Sequence, residues 1–154
     1  MRAYNSNLVI NILKKDYPEI ENRILERIKN EVPDRLDDLN MVPKIIQSFI
    51  DIKELHYSEW TARPGQTVKP MLKDRNLLLA VLILFYHPSK ILNLSSDKLK
   101  ASLIIKTSIE LECPKQVLKN TIADILVGFR AYKEFRDETY RVYELIKIKD
   151  NLLQ

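Results

Sequence analysis

The chain has 154 residues, 45% of them hydrophobic and 30% charged, with a formal net charge of +4. One hydrophobic core usually organises about 100–200 residues, so a single helical domain spanning 1–154 is expected, with enough apolar side chains to argue against wholesale disorder. Two glycines, Gly65 and Gly128, and one cysteine, Cys113, exclude a glycine-rich phosphate loop, an intramolecular disulfide and any zinc site that needs two thiolates.

Scarce glycine also argues against a sheet of tight hairpins, where φ must often be positive, and so points to an all-α fold. In chain order, Asn5 or Ser6 is placed to cap a first helix in which Leu8, Val9, Ile12 and Leu13 recur at helical spacing, ending at Tyr17. Pro18 suits the first turn of a second helix, whose stripe of Ile20, Ile24, Leu25, Ile28 and Val32 opposes a charged face. Pro33 stops it. Pro43 opens a third helix with Ile45, Ile46, Phe49 and Ile50 inward. The periodicity then lapses over 57–73, which contains Trp60, Pro64-Gly65 and Pro70 and reads as a connecting loop. This loop separates an N-terminal helical hairpin region, 1–56, from a C-terminal helical module, 74–154.

From Asp74 the pattern resumes. Leu77 to Tyr86 is apolar nearly all round, which predicts a central core helix; at ten residues it is too short for a bilayer, which needs about 20. Pro88 ends it. Ser95 or Ser96 is expected to cap a helix running to about Leu111, Pro114 opens the next, and a last helix rich in Tyr and Arg covers 133–150. The expectation is a compact bundle of about seven helices, with no membrane span, no cofactor and no metal site. The N-terminus shows no signal-peptide pattern, and a cytoplasmic location is expected, in a host cell or, for a phage-encoded chain, a virion.

Charge is concentrated locally. Between Lys98 and Lys133 there are seven basic and three acidic residues, a bias that favours a polyanion when it is not merely a solvated helix face. Within this window two helices meet at a tight break, Glu112-Cys113, before Pro114. Small Ser108 allows close approach, Leu111 fills the space before the turn, and Val117, Leu118 and Ile122 are expected to face inward. Lys115, Gln116, Lys119 and Asn120 then share one outward face. Lys can donate to guanine O6 and N7, and Gln or Asn can bond adenine N6 and N7, in the major groove of duplex DNA.

Residues 104–125 resemble the helix-turn-helix superfamily of DNA-binding modules, although Glu112 stands where glycine is usual, Ser108 where alanine is usual, and Thr121 at a position usually apolar. More loosely, this stretch together with the following FRAYKEFRDETYRVYE looks like small phage or mobile-element proteins of the Bacteroides type. The first resemblance implies Lys115, Gln116, Lys119 and Asn120 as base-contacting residues, with Lys98, Lys100, Lys106 and Arg130 near the backbone. Two core helices joined by a short turn would present the same pattern without binding anything.

Other residues carry weaker signals. His56 and His87 have no ligating partner at helical spacing. Cys113 sits at a helix N-terminus but has no histidine base nearby in sequence. Asp34, Asp37 and Asp38 lack the alternating ligands of a calcium loop and fit helix capping better. Tyr132, Phe135, Tyr140 and Tyr143, interleaved with Lys133, Arg136 and Arg141, have the make-up of a base-stacking surface, but Tyr132, Phe135 and Tyr143 are expected in the core or at a subunit contact. Two non-enzymatic functions follow: a DNA-binding protein, or a homo-oligomeric structural or adaptor subunit, such as a virion head-tail connector ring, using Trp60, Tyr140 and Tyr143 against its partner.

Overall fold

The computed structural model describes residues 6–55 and 69–153. Among these, eight α-helices and one 3-10 turn follow in order: α1 (Ser6–Asp16), α2 (Pro18–Glu31), the turn Leu39–Met41, α3 (Val42–Lys53), α4 (Lys69–Tyr86), α5 (Pro88–Ile91), α6 (Ala101–Glu110), α7 (Lys115–Ala131) and α8 (Lys133–Asp150). The all-α class is as expected from composition, and no strand occurs among the described residues. No helix among them is long and apolar enough to cross a membrane.

The chain divides into two compact units, Met1–Pro33 and Asp34–Gln154. In the first, α1 and α2 form a hairpin in which none of the described side chains is buried. Pro18, at the start of α2, costs no hydrogen bond there, because the first N–H groups of a helix have no partner within it. Lys14 reaches Glu21 across the hairpin at 3.9 Å.

The second unit is built around α4. Every side chain from Leu77 to Tyr86 is buried, because α3, α5, α7 and α8 all pack against this helix. The sequence pattern groups α3 with the N-terminal helices; in the structure it lies against α4 and α8 instead. Polar contacts fasten that packing: the Ser48 hydroxyl donates to Asp150 Oδ2 at 2.8 Å, Lys149 pairs with Asp51 at 2.6 Å, and Lys53 pairs with Glu138 at 3.1 Å. The segment before α3 is tied to the end of α4, where Leu36 N–H donates to the Phe85 carbonyl and the Tyr86 hydroxyl donates to the Asp38 carbonyl, each at 2.8 Å.

Three boundaries differ from the pattern-based expectation. Helix α4 already includes Lys69, so residues 69–73 are helical rather than loop; Pro70 is tolerated there because it falls in the first turn. Pro88 does not simply stop a helix but opens the short α5. Neither Ser95 nor Ser96 caps α6, which starts at Ala101 after Lys100; the Ser95 hydroxyl instead accepts the Asp97 N–H at 3.0 Å in a local turn. Asp38 does act as a cap, accepting the Asn40 N–H at 2.9 Å.

Candidate nucleic-acid interface

Helix α6 ends at a turn whose hydrogen bonds define its geometry. Cys113 N–H donates to the Ser108 carbonyl at 3.0 Å and Glu112 N–H to the Ile109 carbonyl at 3.2 Å, the paired bonds of a Schellman termination. That termination requires a left-handed residue, and Glu112 supplies it with φ 48°. Ser108 closes the turn from the other side, its hydroxyl donating to the Cys113 carbonyl at 2.6 Å. Leu111 and Cys113 are both buried, as is Leu118 one turn into α7, so the turn is anchored by apolar contacts on its inner side.

Pro114 precedes α7 with φ −55°, a conformation its ring imposes. The first two turns of α7 then place Lys115, Gln116, Lys119 and Asn120 in solvent. Gln116 Nε2 donates to Asn120 Oδ1 at 2.8 Å, so the two amides lie along one strip of the helix with the lysines beside them. Thr121 is half-buried, and its hydroxyl donates back to the carbonyls of Val117 and Leu118; this explains a polar residue where apolar ones are usual. Val117, expected inward, is 38% exposed. Leu118 already fills the space beneath the turn.

The remaining basic residues do not gather at this strip. Lys98 and Lys100 precede α6, at the end of that helix away from the turn, and Lys100 pairs with Asp37 at 3.6 Å. Lys106 pairs with Glu110 at 3.2 Å. Arg130 is exposed at the far end of α7, roughly 17 Å along the axis from Lys119 at 1.5 Å per residue. Lys98, Lys115, Lys119 and Arg130 have no ion pair among the described residues. The structure thus brings together the four outward residues of α7 and spreads the others from the segment before α6 to the end of α7.

The sequence pattern missed one feature of this surface. Ile105 and Ile109, four residues apart on α6, are exposed, Ile109 by 66%. Their i, i+4 spacing signals a stripe, but not whether that stripe faces in or out. Of the residues expected at a partner contact, Tyr143 is buried in the unit's own core, its ring centroid 4.4 Å from that of Phe85. Tyr140 is half-buried against Phe129, with centroids 5.7 Å apart. Trp60 and His56 lie outside the described residues.

His87 sits directly after α4, its backbone N–H donating to the Ile83 carbonyl at 2.7 Å. It stands before α5, and its Nε2 accepts the Lys100 N–H at 3.3 Å, which requires an unprotonated nitrogen. Burial, reinforced by the nearby Lys100 and Arg35 charges, holds its pKa below the ordinary histidine value. Comparison with known protein families, with curated proteins and with solved structures gives no match to this chain.

Proposed function

We propose that this protein binds duplex DNA, without catalysis, through the exposed face of α7. One observation carries the reading: Lys115, Gln116, Lys119 and Asn120 stand together on the first two turns of a helix that follows a tight turn against α6, and neither lysine has an ion pair among the described residues. Such a helix end fits the major groove, where the amides exchange their mutual hydrogen bond for adenine edges and the lysines meet guanine or phosphate. Lys98, in the segment before α6, and Arg130, near the end of α7, add phosphate contacts.

Fluorescence anisotropy with a pool of random duplexes at low salt tests the proposal. Binding should weaken steeply with salt, and Lys115→Ala with Lys119→Ala should lower affinity about tenfold or more and reduce the salt slope by roughly 2. A folded wild-type chain that leaves every duplex unbound would overturn it.

A second reading is favoured by α1 and α2, whose large apolar side chains, Leu8, Ile12, Ile20, Ile24 and Leu25 among them, are exposed. An apolar face of this extent suits a homo-oligomeric structural or adaptor subunit, of the head-tail connector kind in a phage particle. Light scattering separates the two: a stable ring without affinity for duplex supports this reading, whereas a monomer or dimer that binds duplex supports the first.

A further inference from the structure

A cavity of about 660 Å³ opens between the start of α4, the second half of α7 and the start of α8, within the usual range for small-molecule sites. Its wall is apolar where Leu77, Ile125 and the ring of Phe135 meet. Gly128 presents no side chain to it, and a Cβ there would touch the Phe135 ring at 3.7 Å, an ordinary contact, so nothing blocks the space at that point.

The charges around the cavity are unbalanced. Lys53 is occupied by Glu138, and Glu138 also receives two hydrogen bonds from Arg141, at 2.7 and 2.8 Å. Asp74, Asp124 and Glu134 also line the cavity, with Lys73 as the remaining cation, and none of the three has an ion pair among the described residues. The carboxylates do not converge: no group of three acidic, histidine or cysteine side chains among the described residues is arranged to hold a metal ion. Separated negative charges around an apolar, aromatic-walled cavity complement a ligand whose positive charges are likewise separated by apolar segments.

We infer that this cavity binds a linear aliphatic polyamine. Its methylene segments lie against Phe135 and the exposed ring of Tyr132, and its ammonium groups pair with Asp74, Asp124 and Glu134 at the rim. A ring beside an ammonium adds an attraction that a bare metal ion, held by its water shell, does not gain as readily. None of these residues belongs to the proposed DNA-contacting strip, so the two sites are tested independently.

Isothermal titration of the full chain with spermidine at physiological ionic strength decides the matter. One saturable site is expected, weakened at least tenfold by Asp124→Asn combined with Glu134→Gln and lost in Gly128→Leu, whose side chain enters the cavity. Gly128→Ala, which adds only the tolerated Cβ, should keep the site. Far-UV circular dichroism and melting temperature check that each variant folds, and if the leucine variant does not, the charge variant decides. The inference is overturned by no saturable heat at millimolar spermidine, by equal affinity in the folded charge variant, or by displacement with magnesium at matched ionic strength.

Discussion

Tyr143 packs its ring in the core, yet its hydroxyl is buried with no hydrogen-bond partner among the described residues. Burial is the main reason its pKa is pushed up to about 12, with Glu144 and Asp34 adding repulsion of the phenolate. An unpaired buried hydroxyl has lost its water without compensation, so Tyr143→Phe should stabilise the fold by about 1 kcal/mol, read as a rise in the denaturant midpoint. His87 gives the opposite kind of signal, one that depends on pH. Its folded pKa is depressed below the ordinary histidine value of 6.5, so its contribution is complete above that value and is lost as pH falls through the folded pKa, when the imidazole must charge and give up the Lys100 N–H. Stability should therefore decline as acidification proceeds below pH 6.5, and His87→Gln should flatten that part of the profile. Neither effect was legible in the sequence, since both depend on which neighbours the fold supplies.

At the scale of elements, four helices end in the same way without glycine. Helices α3, α5, α6 and α8 each finish with paired terminal bonds around a left-handed residue: Glu54, Asn93, Glu112 and Asn151. Asparagine tolerates that region; glutamate does so at a cost near 1 kcal/mol. Glu112→Gly should accordingly raise stability by about 0.5–1 kcal/mol, measurable by thermal or denaturant unfolding. It also removes a negative charge beside the proposed DNA strip, so duplex affinity should rise with it. Helix ends marked by proline, at Tyr17-Pro18 and before Pro114, could be read from the sequence because proline dictates its own backbone. The left-handed geometry at Glu54 or Glu112 could not, because glutamate carries no turn signal. The outward placement of Lys115, Gln116, Lys119 and Asn120 followed from helical spacing alone. The cavity left no comparable trace, since it is assembled from α4, α7 and α8, and only Gly128 inside a helix hinted at open space.

At the scale of the whole molecule, the two units differ in what holds them. In Asp34–Gln154 the core extends from Val42 to Leu152, whereas the described part of Met1–Pro33 buries no side chain. Regions with few buried apolar contacts open at low free-energy cost. Amide hydrogen exchange on the protein in solution should show α1 and α2 exchanging far faster than Leu77–Tyr86 of α4. Equal protection of both would mean that the hairpin is covered in solution, as the oligomeric reading requires. The apolar run of α4 made the main core predictable, because a helix apolar all round has only one stable location. The division at Pro33 was not predictable, because amphipathic helices look alike whether or not a partner covers them.

Cys113 gives this chain a built-in chemical reporter. It is the sole thiol, it is only 5% exposed, and the backbone on both sides of it is held by Ser108 through the turn that joins α6 to α7. A thiol reagent can react at a useful rate only when that turn opens, so the labelling rate of the unmodified protein times the opening. No engineered probe is needed to ask whether a bound duplex clamps the turn shut.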